Sequence, residues 1–200
     1  WLQSRNEDGS WKRYDADWRE STYKNYFWMV PYDLQGLIDS IGGKEAAEKR
    51  LDEMFRRLDA SYGDEWFASG NEPSFQIPWI YNWAGAPYKA QQVIRRILNE
   101  QYSSRVNGLP GNDDLGSMGA WYVFASIGLF PEIPGVGGFS VNSPVFRKIV
   151  LHLPEGDVII KGGDEKKEYI HSLSLDGKKM EGTWIDWSDL YRGATLEYKL

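Results

Sequence analysis

Two adjacent carboxylates, Asp113 and Asp114, stand directly before a helix-length run that carries no charge. The run predicts a buried helix over residues 117–127, because it has no room for solvated charge and is followed by Gly128 and then a proline. Neighbouring aspartates repel each other when both are ionised, and a helix N-terminus stabilises the charge of one. The pair can therefore hold unequal pKa values, which suits acid–base chemistry. Capping of the helix is the alternative role.

The composition bounds the class of protein. A chain of 200 residues with 42% hydrophobic content can bury the core of one large or two small domains. A net charge of −6 without a basic stripe argues against a nucleic-acid partner. The absence of cysteine excludes a disulfide framework, a thiolate zinc site and a cysteine nucleophile. No apolar run approaches the ~20 residues that span a bilayer.

The aromatic content is unusual: ten Trp and twelve Tyr contribute to an aromatic fraction of 15%. These side chains combine a flat apolar face with a polar edge, which suits the faces and hydroxyl rims of sugar rings. Core packing is the alternative, and composition does not separate the two.

The first two thirds of the chain predict helices, at about residues 33–41, 44–58 and 87–102, in addition to the one after Asp114. The first two flank Gly42-Gly43, which predicts a helical hairpin. In the helix over 87–102, Arg95 and Arg96 are expected to face outward. Repeated helix pairs with acids and aromatics in their loops favour part of a helical toroid, with the polar loops gathered at one rim.

Beyond residue 130 the hydrophobic period becomes two, which predicts short strands and a small antiparallel β unit. The expected strands are residues 139–146, 148–153, 157–161, 170–175 and 194–199. We therefore expect a mainly α fold with a β tail, divided into a helical catalytic region over 1–135 and a β-strand region over 136–200.

Several motifs occur in an order that identifies a family. They are Trp-Met-Val-Pro at 28–31, Gly-Gly-Lys-Glu-Ala at 42–46, Gly-Asn-Glu-Pro-Ser at 70–74, Tyr-Asn-x-Ala-Gly-x-Pro at 81–87 and Gly-Leu-x-Gly-Asn-Asp-Asp-x-Gly-x-Met-x-Ala-Trp-Tyr-Val-Phe at 108–124. In these motifs the chain resembles the calcium-dependent exo-α-mannosidases of glycoside hydrolase family 92, which are secreted by bacteria.

The resemblance implies a piece of a longer protein. Members of the family have an N-terminal β-sandwich, an (α/α)6 barrel and returning strands, and this chain resembles only the later barrel helices and the last strands. We expect the missing N-terminal portion to be required for activity, a mannose-containing glycan as substrate, and a secreted, periplasmic or cell-surface location.

The resemblance also assigns roles. The family inverts the anomeric centre, which requires an acid and a base about 6.5–9.5 Å apart. Glu20 stands at the position of the acid, and Asp114 at that of the base with Asp113 as second candidate. The expected substrate-binding residues are Asn112, Glu72, Gln76 and Trp83. Calcium (Ca2+) is the expected cofactor, with Asn71 and Glu72 as its candidate ligands. The expectation is that residues 20, 72 and 114 meet at one sugar-sized hollow.

Two departures from the family's motifs leave open which leaving group the protein recognises and whether it cleaves α-1,2 linkages. The residues after Glu20 lack the Trp and Gln that many members carry, and Phe75 and Gln76 replace a His pair. Cleavage of a mannose-phosphate diester is therefore an alternative, since its better leaving group needs less acid assistance. A catalytically incomplete sugar-binding fragment is another.

Overall fold

The computed structural model describes residues 1–200 as a helical part followed by two β-sheets. The α-helices are α1 (Tyr23–Tyr26), α2 (Leu34–Ser40), α3 (Lys44–Met54), α4 (Ile80–Trp83), α5 (Pro87–Glu100) and α6 (Ser117–Ile127). Short 3-10 helices cover Pro31–Asp33, Glu72–Ser74, Ile77–Trp79 and Trp187–Asp189. None of the helices combines the length and the apolar character that crossing a membrane requires.

The predicted hairpin of α2 and α3 is present. The Asp33 carboxylate accepts a hydrogen bond from Gly36 N (3.0 Å) and caps α2. Helix α3 ends earlier than expected, at Met54. The Met54 carbonyl accepts from Phe67 N at 3.2 Å, so a distant segment takes the place of another helical turn. Leu58 is nevertheless buried, as its apolar type predicts.

Helix α5 buries the predicted apolar face, with one exception. Arg95 was expected to point outward but is only 6% exposed. Its guanidinium donates to the main-chain carbonyls of Asp164 (2.9 Å), Glu165 (3.0 Å) and Lys167 (3.2 Å). These carbonyls satisfy the buried charge, and they come from a loop that helical periodicity does not reveal.

Helix α6 has the predicted bounds, but the prediction of a fully buried helix is wrong. Trp121 is buried, whereas Tyr122 is 40% and Val123 56% exposed. The uncharged run therefore packs one face on the core and leaves an apolar face uncovered. Among the other aromatics, Trp28 and Trp79 are fully buried core residues, whereas Trp11 and Tyr32 are exposed.

The β part consists of two sheets. The strands are β1 (Leu129–Phe130), β2 (Gly138–Val141), β3 (Lys148–Leu153), β4 (Gly156–Lys161), β5 (Ser172–Leu175), β6 (Lys178–Lys179), β7 (Trp184–Asp186) and β8 (Ala194–Lys199). The first sheet has the order β1-β2-β7 and is antiparallel; the second has the order β3-β4-β8-β5-β6.

The expectation of a single antiparallel unit is therefore wrong. Strands β4 and β8 pair in parallel, with Val158 opposite Ala194, and the long connection between them returns the chain in the same direction. Stacking of Trp79 on Phe130, with ring centroids 4.0 Å apart, joins β1 to the helical core. The closed toroid and the division at residue 135 stay predictions.

Candidate active site

A cavity of about 470 Å³ collects the candidate acid and the candidate base from distant parts of the sequence. Glu20, Asn71, Asn112 and Asp114 all line it. The remaining lining residues are Asp59, Ala60, Ser61, Tyr62, Ala68, Gly70, Pro110 and Gly111. Three loops that hold the expected site residues thus meet at one hollow, and polar side chains dominate its wall.

Two glycines allow two of these loops to touch. A Cβ built on Gly111 would collide with the carbonyl oxygen of Gly70, and one built on Gly70 would collide with that of Pro110. Only glycine permits so close an approach of two backbones. The contact places the Asn71-Glu72 segment beside the Asn112–Asp114 segment.

The backbone is strained at both candidate catalytic residues. Glu20 has a φ of 63° and Asp114 a φ of 48°, and Leu115, which follows, has a φ of 58°. Left-handed backbone at a residue other than glycine costs on the order of 1–3 kcal/mol, and such residues concentrate at functional sites. The placement of these two carboxylates therefore lowers the stability of the fold.

Two side chains hold the backbone around Glu20. The Asn71 amide donates to the Glu20 carbonyl at 2.5 Å, and the Tyr26 hydroxyl donates to the Arg19 carbonyl at 2.7 Å. Tyr26 itself stacks on Trp18, with centroids 5.6 Å apart. Burial, and then the charge of Glu20, raise the pKa of the Tyr26 phenol, which keeps it a hydrogen-bond donor. The sequence motifs reveal neither role: they mark Asn71 only as a candidate metal ligand and give Tyr26 no role.

The structure divides two roles between the adjacent aspartates. One carboxylate oxygen of Asp113 accepts from Gly119 N (3.2 Å), and the Asp113 carbonyl accepts from Met118 N (3.2 Å). Asp113 therefore caps α6, which was the alternative reading of the pair. Asp114 lines the cavity instead. This arrangement favours Asp114 over Asp113 as a base.

Asp114 is the end point of a chain of polar contacts. Partial desolvation, then the charge and hydrogen bond of the Glu72 carboxyl, then the charges of Glu20 and Asp113, raise the pKa of Asp114. The Ser117 hydroxyl donates to Glu72 at 3.0 Å and fixes that carboxyl at the start of α6. Of the three acids expected at one hollow, Glu20 and Asp114 line the cavity, whereas Glu72 does not and adjoins the site only through Asp114.

The acids carry charge that no basic side chain neutralises. Neither lysine, arginine nor histidine lies within ion-pair distance of Glu20, Glu72, Asp113 or Asp114. Such a cavity attracts positive charge, whether a cation or the positively charged, oxocarbenium-like transition state of glycoside cleavage.

The donor set suits a hard cation in type, since the site offers oxygen ligands only. In geometry it supplies part of a coordination sphere: no group of three or more His, Cys, Asp or Glu side chains converges on one metal position. A calcium ion here would take its other ligands from amide or carbonyl oxygens, water or the substrate.

Besides Glu72, two more of the expected substrate-binding residues do not line this cavity. The Gln76 amide is directed at the main-chain carbonyls of Pro73 (3.4 Å) and Trp28 (3.5 Å). Trp83 lines a different cavity, and its indole N–H donates to Glu132 at 3.2 Å. Both positions follow from the short helices over residues 72–83, which carry the chain away from the acids.

The family model described as the glycosyl hydrolase family 92 catalytic domain matches residues 1–200. The chain belongs to glycoside hydrolase family 92. This match confirms the resemblance carried by the motifs at 70–74 and 108–124. Within this GH92 chain, those motifs form two of the loops that meet at the cavity.

Known proteins similar to this GH92 chain are considerably longer. An uncharacterized secreted glycosidase of Arthroderma benhamiae is 31% identical over 191 residues, which cover 90% of this chain and 24% of that protein. A GH92 α-mannosidase of Bacteroides thetaiotaomicron has a TM-score of 0.88 and 32% identity, with 98% of this chain and 28% of that one covered. A GH92 inverting mannosidase from the same species has a TM-score of 0.87 and 28% identity, with 99% and 30% covered. The chain thus spans less than a third of these relatives.

Proposed function

We propose that the protein carrying this chain removes terminal α-linked mannose from glycans with inversion at the anomeric carbon. The observation that carries the proposal is the convergence of Glu20 and Asp114 on one cavity, each on left-handed backbone. The α-mannosidases among its structural neighbours support the choice of sugar.

In the proposed reaction Glu20 donates its proton to the glycosidic oxygen as the bond to the anomeric carbon breaks. Asp114 accepts a proton from the water that attacks the opposite face of the ring. The raised pKa of Asp114 makes its carboxylate a stronger base toward that water. Asn112, which also lines the cavity, orients the water or the sugar.

Positioning and charge support both proton transfers. Asn71 and Tyr26 hold the main chain around Glu20, so the acid needs little reorganisation before it reacts. The unneutralised acids stabilise the positive charge that develops on the ring as the leaving group departs.

We also propose calcium as cofactor, with Asn71 and Glu72 among its ligands. When bound, calcium would grip sugar hydroxyls and favour a distorted ring. Oxygen-only donors and the uncompensated negative charge support this assignment. Isothermal titration of the metal-free protein with calcium tests it without reference to turnover: we expect saturable binding that weakens in Glu72→Gln.

We further propose that residues outside this chain complete the substrate site, and that the protein is secreted. The short span relative to the matched proteins supports the first point, and the description of the Arthroderma relative supports the second. The 200 residues alone would then be inactive, and activity would return with the remaining part of the protein.

Mannose-phosphate diester cleavage is the second candidate, supported by the altered residues that follow the acid position, Ser21 to Tyr26. Parallel assays with α-1,2-mannobiose and a mannose-1-phosphate diester separate the two. Retention of a well-held Glu20 favours the mannoside, because a phosphate leaving group needs little protonation.

The deciding experiment follows the first product by proton NMR, before mutarotation. Inversion of an α-mannoside releases β-mannose first. Asp114→Asn should lower kcat by about 10²–10⁴-fold, while substrate binding is kept. The release of α-mannose, or full turnover in Asp114→Asn, would show that this pair does not act as proposed.

A further inference from the structure

Part of the wall of the cavity that holds Glu20 and Asp114 has no role in the proposed reaction. It is formed by residues 59–62, at the start of a loop over 59–67 that we call the rim loop. Tyr62 is the only aromatic residue that lines this cavity. It is 65% exposed, so much of its side chain is open to contact with a ligand.

The rim loop lies on the side of the proposed acid. Two hydrogen bonds join it to helix α1, which begins three residues after Glu20. The Tyr23 hydroxyl donates to Glu65 at 2.8 Å, and the Asn25 amide donates to the main-chain carbonyl of the residue after Glu65 at 3.0 Å. The rim loop and the acid are therefore held by the same short segment of the chain.

This position decides which part of a substrate the rim loop can contact. In an inverting reaction the acid and the base act on opposite faces of the anomeric carbon, and the leaving group departs on the side of the acid. Asp114, the proposed base, belongs to a different loop of the cavity wall. A wall segment beside Glu20 therefore adjoins the leaving group.

The charge of the wall indicates a neutral leaving group. No lysine, arginine or histidine lines the cavity, whereas the carboxylates of Glu20, Asp59 and Asp114 do. Arg57 forms an ion pair with Asp59 at 3.2 Å but is not part of the wall. An ionised phosphate would be repelled here, whereas the hydroxyls of a sugar find oxygen acceptors in Asp59 and Ser61.

The rim loop is braced on both sides of Tyr62. Ala60 N donates to the Phe67 carbonyl at 3.1 Å, which closes the loop. Ser61 N and its hydroxyl donate to the Asp64 carboxylate at 3.0 and 2.9 Å. A ligand that binds on this loop therefore loses little free energy to ordering it.

We propose that Tyr62 determines leaving-group specificity, because its ring packs on the sugar unit to which the cleaved mannose is attached. Asp59 and Ser61 accept hydrogen bonds from the hydroxyls of that unit. The inference rests on the proposed mannoside hydrolysis, to which it adds the binding site and the chemical class of the leaving group.

The test compares two substrates of the full-length protein that share the cleaved mannose and differ in the leaving group. One is the α-linked mannobiose that the parent cleaves fastest, and the other is methyl α-mannopyranoside. Tyr62→Ala should lower kcat/KM for the mannobiose about tenfold, mainly through a raised KM, because the second ring loses its packing surface. The methyl glycoside has no second ring, so its kcat/KM should stay nearly unchanged.

Two further variants make the result specific to the ring of Tyr62. Tyr62→Phe keeps the ring and should retain most of the activity on mannobiose. Tyr32→Ala, at a tyrosine that is 80% exposed and does not line the cavity, should leave both activities as in the parent.

The outcomes separate this inference from the hydrolysis on which it rests. Equal losses on both substrates in Tyr62→Ala, no loss on either, or a loss in Tyr62→Phe as large as in Tyr62→Ala would overturn the role of Tyr62 while the hydrolysis stands. A parent that releases mannose from neither substrate would instead refute the proposed hydrolysis, and the leaving-group site with it.

Discussion

Asp114 and Glu132 are two carboxyls whose pKa is raised in very different surroundings. At Asp114, partial desolvation acts together with three neighbouring carboxylates, on exposed loops with left-handed backbone. At Glu132, burial alone raises the pKa to about 7, against the hydrogen bonds from Ser140 and Trp83, which lower it. Residue 132 has ordinary backbone and lies almost wholly in the interior.

The comparison shows that a raised pKa does not by itself mark a catalytic group. The pKa of Glu132 is raised because burial removes water from its carboxyl, so ionisation of this group mainly changes the stability of the fold. The pKa of Asp114 is raised partly because other carboxylates lie beside it on strained loops. A substitution that removes one of these neighbouring charges should therefore change the pKa of Asp114. The two sites should therefore respond to different substitutions.

The largest effect expected from this contrast is at Glu132. A carboxyl with a pKa of 4.5 in the unfolded chain and about 7 in the folded one favours folding most below pH 4.5. That contribution is lost as the pH rises to 7, and amounts to about 3 kcal/mol. Glu132→Gln should flatten the dependence of unfolding free energy on pH between 4.5 and 7. Unfolding free energies measured by urea titration at several pH values check this. If they depend on pH as steeply in Glu132→Gln as in the parent, residue 132 is not a buried ionisable group.

A smaller effect, about a hundredfold in kcat/KM, is expected from Asn71→Ala, because the proposed acid, Glu20, would lose its main-chain anchor. Asn71→Asp is the matched variant, since it keeps an oxygen ligand for calcium but loses the amide donor. At saturating calcium, both should lose activity to a similar extent. Recovery in Asn71→Asp alone would assign the residue to the metal and not to the placement of Glu20.

Relief of backbone strain beside Asp114, the proposed base, should stabilise the protein by about 0.5–1 kcal/mol. Leu115 has a φ of 58° and a fully exposed side chain, so Leu115→Gly removes strain without loss of packing. Val106→Gly is the control, at an equally exposed residue without positive φ. Denaturant midpoints should rise for the first variant only, and a fall for Leu115→Gly would disprove the strain.

The smallest change concerns the pH profile. Glu72→Gln removes a negative charge next to Asp114, so the pKa of Asp114 should fall. Because a base must be deprotonated, the acidic limb of kcat/KM should move to lower pH. Gln76→Glu, which adds a charge outside the cavity, should leave that limb in place. If the acidic limb of the pH profile stays in place in Glu72→Gln, the group that governs this limb is not Asp114.

The elements that local pattern determines could be predicted from the sequence. Helix α6, between capping residues and Gly128, and strands β3 and β8 have the predicted bounds. The family resemblance pointed to Glu20 and Asp114, which the fold brings to one cavity. The sequence allowed two roles for the adjacent aspartates, capping of α6 and a place at the cavity. Only the structure shows that Asp113 caps the helix and Asp114 lines the cavity.

Long-range contacts account for what the sequence did not reveal. Arg95 is buried because carbonyls some seventy residues away surround its guanidinium. Tyr26 and Ser117 act through partners that no local pattern connects to them. The parallel pairing of β4 with β8, and the burial of Glu132 under Trp83 and Ser140, likewise depend on the tertiary fold.

The central claim, that Glu20 is the acid and Asp114 the base of one reaction, is tested most directly by varying the leaving group. The measurement compares kcat/KM for an activated aryl α-mannoside and an alkyl α-mannoside in Glu20→Gln and Asp114→Asn. Glu20→Gln should impair the alkyl substrate far more than the aryl one, because only the alkyl leaving group needs a proton. Asp114→Asn should impair both alike. Equal losses in Glu20→Gln, or a dependence on leaving group in Asp114→Asn, would contradict these roles.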